Sequence, residues 1–341
     1  MTAPLNPSKS SAAPFLSDPS SEREGLVVLA VHGGAGGDGP WRGMTDADPQ
    51  RIVCMRTLLA DLGAQLASGE LTATEAVTLA VEAMEDEPLF NAGKGSVLDE
   101  HCEVSMDASI MQGSDQAAGA VIGMKSTRNP IRAAHRLLNK GWPVMLTGSA
   151  GDKFAEQEGL EQVDLAWLKT DLRLAQWTKW KNHRLRPGAT DEEDALLDHD
   201  GDDDGWGTVG AVAMDADGNL AAATSTGGMT GKPVGRVGDT GIIGAGTWAD
   251  STIAVSCTGV GEAFIRTAAA HSMAVHHQTL SLVQAAERVL EDVKPFEGRG
   301  GLIALNAKGD VVMPFQTMLM YRGVYQDGET QVGIGPEFIQ S

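Results

Sequence analysis

The apolar positions of the chain fall into two periods, and the change from one to the other divides it. Leu26–His32 (LVVLAVH) is a continuous apolar run followed by Gly33, Gly34, Ala35, Gly36 and Gly37. This predicts a buried strand stopped by a glycine turn. Pro49–Ser68 carries apolar residues at helical spacing. Thr72–Glu85 does too, and opens with Thr72 and Glu75 in the arrangement of a capping box. Strands are expected at Glu103–Met111 and Ala117–Met124, a helix at Asn129–Lys140 with Pro130 in its first turn, and mostly helix over Lys153–Trp180.

The pattern stops at Lys181–Gly207. This segment has few apolar residues and nine acids (Asp191, Glu192, Glu193, Asp194, Asp198, Asp200, Asp202, Asp203 and Asp204). It cannot bury enough surface to offset the entropy of ordering, so it reads as a disordered acidic linker. Beyond it the period shortens. Thr208–Met214, Asn219–Ser225, Gly241–Trp248 and Ser251–Ser256 read as strands, and Asp215–Gly218 (DADG) is a hairpin turn between the first two. Helices follow at Gly261–His276 and Ser281–Val293, then strands at Gly301–Asn306 and Val311–Pro314 joined through Ala307–Asp310. Helices first and hairpins later predict an α+β fold of sheets sandwiched by helices rather than alternating βαβ units.

Composition narrows the function. The 341 residues are 42% hydrophobic and 21% charged, as in a globular protein with a sizeable core. A net charge of −20 without a basic patch argues against nucleic acid and anionic membranes as partners. Cys54, Cys102 and Cys257 stand singly, which suits a reducing compartment and neither a disulfide scaffold nor a zinc site. Met1–Glu24 is rich in Ser, Pro and Ala, lacks the apolar core of a signal peptide, and reads as a disordered tail. The expected location is cytoplasmic.

The candidate chemistry centres on Gly207-Thr208-Val209-Gly210, where a threonine stands at the end of the linker and the start of a buried strand. The plain reading is a β-branched strand residue. The alternative is a nucleophile whose own terminal amine, with a pKa of about 8, serves as its base. That amine exists only if the chain is cut before Thr208. A linker gives the cut room to relax, and Gly207 tolerates a distorted peptide.

The segment GTVGAVAMDADGNLAAATSTGGMTGKPVGRVGDTGIIGAG resembles the central block of the plant-type asparaginases, or isoaspartyl peptidases, of the N-terminal-nucleophile hydrolases. The resemblance extends through VSCTGVGEAFIR and GGLIALNAKG, and upstream through AVHGGAGG, PLFNAGKGSVLD, VSMDASIMQG and AGAVIGMKSTRNPIRAA, from about Leu26 to Arg322. It implies a four-layer αββα sandwich, a single domain over 26–341, cut between Gly207 and Thr208 into an α-chain of 1–207 and a β-chain of 208–341. By the same resemblance Thr208 is the nucleophile, Thr226 bonds its hydroxyl, and Thr258 with the Gly259 amide forms the oxyanion hole. Arg236-Val237-Gly238-Asp239 and Thr258-Gly259-Val260-Gly261 are the substrate-binding segments. Arg236 suits the carboxylate and Asp239 the ammonium of an amino-acid-like substrate. The plain reading of that pair is a surface ion pair.

Asn91 resembles a family residue that reaches the active site and orders water. The stretch around it matches a loop whose main-chain carbonyls, here those of Met84, Glu85, Glu87, Phe90, Ala92 and Lys94, wrap a structural sodium ion. No cofactor is implied for catalysis. The implied substrates are small molecules, isoaspartyl dipeptides and L-asparagine, and the implied assembly is a homodimer of αβ units. Open alternatives are the same chemistry on another substrate, as in a glycosylasparaginase or a threonine endopeptidase, and an uncleaved binding protein on the same scaffold. A glycosylasparaginase would be expected to carry a secretory signal and paired cysteines. HGGAGG at His32 lacks the register and lysine of a phosphate loop and reads as a packing turn. Asp107 reads as a buried structural carboxylate, and His271, His276 and His277 lack ligand spacing.

Overall fold

The computed structural model describes residues 25–36, 49–185 and 207–339, so the expected N-terminal tail and the acidic stretch of the linker lie outside the described residues. Two sheets face each other. The larger has nine strands in the order β13-β12-β11-β1-β5-β6-β2-β3-β4, and the smaller four in the order β10-β9-β8-β7. In the larger sheet the strands are β1 (Val28–Gly36), β2 (Met106–Gln112), β3 (Ala118–Met124), β4 (Met145–Thr147), β5 (Val209–Met214), β6 (Leu220–Thr226), β11 (Leu319–Gln326), β12 (Glu329–Gly333) and β13 (Phe338–Ile339). The smaller holds β7 (Thr247–Ala249), β8 (Ile253–Gly259), β9 (Gly300–Asn306) and β10 (Val311–Val312). Pairing is antiparallel except for β3 with β4, which are joined through helix α3 (Pro130–Lys140).

Helices cover both outer faces. α1 (Pro49–Ala67), α2 (Ala73–Asp86) and α3 pack on the larger sheet through Met55, Leu59, Val77, Val81, Ile131 and Leu137. α7 (Gly261–Thr267), α8 (Ala269–His277) and α9 (Leu282–Val293) pack on the smaller through Phe264, Met273, Val289 and their neighbours. The four layers of the expected αββα sandwich are therefore present, with a third apolar cluster of Val28, Ala30, Val212, Ala222, Ala254, Ile303 and Leu305 between the sheets. Because both faces of each central strand are covered, β5 reads as an unbroken apolar run and β6 as one up to Ala223, their side chains divided alternately between the helix side and the inter-sheet side.

Local chemistry sets several boundaries as expected. The capping box of Thr72 and Glu75 starts α2, and a second, of Ser281 and Gln284, starts α9. Elsewhere tertiary contacts override the pattern. The first strand does not stop at the glycines but runs on to Gly36 through a bulge at His32/Gly34, where Gly34 has φ +107°. Gly241–Gly246 forms turns rather than strand, with Ile242 N donating to Asp239 O and Ala245 N to Ile242 O. The expected Gly261–His276 helix breaks at Ala268, φ +47°, so that the amides of Ala270 and His271 reach the carbonyls of Ala245 and Gly244. Between β4 and the linker lie α4 (Gly148–Gln157), α5 (Leu165–Leu168) and α6 (Asp171–Arg184). Lys181–Arg184, assigned to the linker from sequence, complete α6, whose last turn carries basic residues suited to a helix C-terminus. β11–β13, which add three strands beside β1, were not anticipated.

The inter-sheet layer should dominate stability. Ile303→Ala, in a fully buried position between the sheets, is expected to cost about 2–5 kcal/mol, and Thr72→Ala, which removes a cap, about 1 kcal/mol. Denaturant unfolding of the two variants under the same conditions would show the difference in midpoint.

Candidate active site

Period-two alternation carries the candidate residues to one place. Val212 and Met214 of β5, Leu220 and Ala222 of β6, and Ala254 of β8 face the gap between the sheets. By the same parity Thr208, Thr226 and Thr258 face it too, each buried. His32 does the same on β1, next to inward-facing Val28 and Ala30. Three distant hydroxyls are thus brought together by strand register and not by a flexible loop.

Thr208 Oγ1 donates to Thr226 Oγ1 at 3.2 Å, and Thr226 Oγ1 also accepts from Gly228 N at 3.0 Å. Thr208 is held by its backbone as well. His32 Nδ1 lies 3.0 Å from the Thr208 carbonyl and Nε2 lies 2.9 Å from Ser256 Oγ. Burial pushes the imidazole down to about 3, so it is neutral at physiological pH. A carbonyl can only accept, so Nδ1 carries the proton and Ser256 donates to Nε2. Gly210 makes this possible, because a Cβ there would lie 2.0 Å from Ser256 Oγ and 2.4 Å from His32 Nε2. The HGGAGG run, read from sequence as a packing turn, is strand as far as Gly36, and Gly34 within it packs against the candidate cleavage site. A Cβ at Gly34 would lie 2.7 Å from both N and O of Gly207.

Gly207, Thr208, Thr226, Gly228, Arg236, Gly238, Asp239 and Gly259 share the wall of one cavity with Ala35, Met229 and Thr240. Its volume is about 30 Å³, room for water but not for an amino acid. Thr258 Oγ1 accepts from Ala35 N at 3.3 Å and lies 3.2 Å from where a Cβ of Gly207 would be, beside the residue whose carbonyl precedes Thr208. Gly259, at φ +152°, could not be replaced without a Cβ meeting Arg299 O at 2.4 Å. Gly261 lets α7 close on the opposite wall, where a Cβ would stand 3.0 Å from Asp239 N and Oδ1. Val260 precedes α7, its amide donating to Arg299 O. Val237 is half-buried and is not among the lining residues.

The charged groups are arranged around this wall. Asp239 is buried, its Oδ2 has no partner, and burial raises its carboxyl to about 7 against the opposing pull of Arg236. An unsatisfied carboxylate oxygen on a residue of the cavity wall is the feature an ammonium ligand would complete. Arg236 donates through Nε and Nη2 to Glu262, each at 2.8 Å. Asp107, the structural carboxylate, accepts from Gly123 N at 2.8 Å, and burial holds its carboxyl above the usual range. Lys232 Nζ donates to Ser105 O at 2.5 Å and Gly227 O at 2.7 Å, and burial lowers its ammonium to about 8 despite nearby Asp107. Lys232 and Glu262 were not singled out from the sequence, and His32 was noted only as the start of the HGGAGG run. The signal for His32 was a polar residue ending an otherwise apolar strand, and for Lys232 a lone cation between two glycine-rich blocks.

Asn91 lies outside the cavity wall. Its Nδ2 donates to Gly228 O at 2.7 Å, its Oδ1 accepts from Val97 N at 3.0 Å, and its carbonyl accepts from Gly227 N at 2.9 Å. It therefore ties the Met84–Lys94 loop to the turn after Thr226. In that loop the carbonyls of Glu85 and Phe90 turn inward onto glycines: a Cβ at Gly93 would lie 2.3 Å from Glu85 O, and one at Gly95 1.9 Å from Phe90 O. The glycines leave an oxygen-lined cradle that a larger residue would fill, which fits a cation held by main-chain oxygens. Among the described residues no group of three or more His, Cys, Asp or Glu side chains could hold a metal ion. No helix among them is long and apolar enough to cross a membrane. A larger groove of about 910 Å³ between α1 and α2 is walled by Val53, Leu58 and Leu62 with Cys54, Asp61, Glu82 and Glu87; burial, and then Glu87, push the Cys54 thiol up to about 11, so it is held as the unreactive thiol.

The sequence was compared with known proteins. It is 41% identical over 314 residues to an isoaspartyl peptidase of Escherichia coli, covering 90% of this chain and 95% of that protein. It is 37% identical over 313 residues to a human isoaspartyl peptidase/L-asparaginase, covering 91% and 96%. It is 36% identical over 323 residues to a probable isoaspartyl peptidase/L-asparaginase of Arabidopsis thaliana, covering 90% and 98%. A family model described as asparaginase matches residues 25–334, which include every residue of the cavity wall. This chain belongs to the asparaginase family of N-terminal-nucleophile amidohydrolases.

Proposed function

We propose that the protein cuts itself between Gly207 and Thr208 and then hydrolyses isoaspartyl dipeptides and L-asparagine. The observation that carries this reading is the 3.2 Å contact of the Thr208 and Thr226 hydroxyls in a cavity that Gly207, Gly259, Arg236 and Asp239 also line. The names of the relatives support the same substrates.

In the first stage Thr208 Oγ adds to the Gly207 carbonyl and the C–N bond breaks. The acyl group passes to oxygen and the proton lost by the hydroxyl ends on the new amine. Water then hydrolyses the ester, leaving Gly207 as a carboxylate and Thr208 with a free amine. The small cavity walled by Gly207 suits this order, since departure of residue 207 opens the space a substrate needs. In the second stage the amine, with a pKa of about 8, takes the hydroxyl proton as Oγ attacks the side-chain amide carbon. Thr258 Oγ and the Gly259 amide stabilise the oxyanion. Ammonia or the leaving amino acid departs with a proton, and water resolves the β-aspartyl ester to L-aspartate.

Arg236 takes the substrate's α-carboxylate and Asp239 its ammonium. We also assign a structural sodium ion to the carbonyls of Met84, Glu85, Glu87, Phe90, Ala92 and Lys94. When bound, the ion would supply no chemistry to the reaction and would brace the loop from which Asn91 reaches Gly227 and Gly228. The two chains remain one domain, because β5 from one pairs with β1 from the other. The resemblance supports a homodimer of such units, and the free cysteines suit a cytoplasmic location.

The clamp separates maturation from turnover. Arg236→Ala should still be cut, while kcat/KM on isoaspartyl dipeptides and asparagine falls on the order of 30- to several-thousand-fold. Cut protein with unchanged kinetics on both would remove the assignment. The pH profile adds a second test. Asp239 binds an ammonium only when ionised, and its carboxyl is raised to about 7, so kcat/KM should climb as pH rises through that value. In Asp239→Asn the residual activity should retain only the rise belonging to the terminal amine, near 8. An unchanged acid limb would show that another group controls binding.

A further inference from the structure

Arg236 does not meet the cavity with its whole guanidinium. Nε donates to Glu262 Oε1 and Nη2 to Glu262 Oε2, both at 2.8 Å, so the fork that usually grips a carboxylate is already filled by one. The Arg236 side chain is 13% exposed and that of Glu262 52%, which puts the carboxylate on the solvent side of the pair. The remaining nitrogen, Nη1, lies toward the cavity wall: a Cβ on Gly238 would be 3.0 Å from Nη1 and 3.7 Å from Nη2. Glu262 itself is in the first turn of α7, one residue after the Gly261 that packs on Asp239. The helix therefore carries a partner for Arg236 and a closely fitting contact for Asp239 side by side.

We infer that Glu262 is a positioning residue for substrate recognition: it holds Nε and Nη2 so that Nη1 alone is presented to the substrate's α-carboxylate. The inference rests on the assignment of Arg236 to that carboxylate. A long side chain with several rotatable bonds is fixed before the substrate arrives, which removes an ordering cost from binding. Glu262 also balances the charge of Arg236. A half-open arginine neutralised in this way discriminates by position, since a carboxylate placed elsewhere on the ligand meets Glu262 or the wall. A fully exposed ion pair would do little, but here the cation is only 13% exposed and the contact is two-point.

The test uses the cut, full-chain protein and two ligands that differ only at the α-carboxylate: L-asparagine, and L-asparaginamide, whose α-carboxylate is an uncharged amide. Glu262→Ala should raise KM for L-asparagine on the order of 10-fold or more while kcat changes by less than about 3-fold, the signature of lost uniform binding. Glu262→Gln, which keeps one accepting oxygen, should fall between that variant and the parent. The kcat/KM for L-asparaginamide, followed by release of isoasparagine, should stay within about 2-fold in all three proteins. Where its turnover is too slow to follow, its inhibition constant serves in the same way. Equal losses on both ligands would mean that Glu262 only supports the fold, and an unchanged or lower KM for L-asparagine would mean that it does not orient Arg236. Arg236→Ala distinguishes the two levels of the argument. If that variant discriminates between the ligands no differently from the parent, the clamp itself is misassigned. If it does, and Glu262→Ala does not, only the role of Glu262 falls.

Discussion

The site depends on one constraint: the start of β5 must be fixed in the space between two sheets while the bond before it stays accessible. β5 is a central strand, paired with β1 on one side and β6 on the other. Thr208, the residue that leads into it, has its carbonyl held by His32, which spans to Ser256 on the opposite sheet. From Ser256 a chain of hydroxyl contacts continues through Thr224 at 2.7 Å, Thr247 at 2.5 Å and Ser109 at 2.8 Å. These polar groups lie beside an otherwise apolar layer, where unpaired hydroxyls would be costly. Their mutual satisfaction ties the sheets at one register, and a slip by one residue would turn Thr208, Thr226 or Thr258 away from the gap.

Around that fixed point the charges are buried with unequal completeness. Lys232 spends its donors on the carbonyls of Ser105 and Gly227, bracing the turn that presents Gly228 to Thr226. Asp107 lies near Lys232 and Arg236 and receives the amide of Gly123. These groups are paired within the protein and serve as scaffold. Asp239 retains an oxygen with no partner. A buried polar atom without a partner is a cost that folding alone does not repay, and in a cavity wall it is most simply explained by a ligand that completes it. Glu85 Oε2, buried in the Met84–Lys94 loop, is also without a partner, but of these two carboxylates Asp239 alone lies in the cavity wall.

Much of this was legible in the sequence because it depends on short-range rules. Strand parity around Thr208, Thr226 and Thr258, the capping box at Thr72, and the turn at Asp215–Gly218 each follow from a few neighbouring residues. What was not legible depends on distant partners. Gly33–Gly36 looked like the end of a strand because glycines usually are, whereas pairing with β11 carries β1 through them. Gly241–Gly246 has the apolar character of a strand, but its amides are drawn to Asp239 O and Ile242 O, which curls it beneath the clamp. Ala268 adopts a left-handed conformation that no propensity would assign, and the break gives the amides after it the carbonyls of Gly244 and Ala245. The bond of Glu262 to Arg236 spans 26 residues and two elements, so the motif that ends at Gly261 gave no hint of it.

The central claim is that Thr208 is a nucleophile created by the protein's own cleavage, and the intact mass of the purified chain under denaturing conditions tests it most directly. The account predicts two polypeptides, the smaller beginning Thr-Val-Gly-Ala, and a single full-length chain when Thr208 is replaced by Ala. A parent protein that remains whole yet hydrolyses isoaspartyl dipeptides, or a Thr208→Ala variant still cut at the same bond, would contradict it.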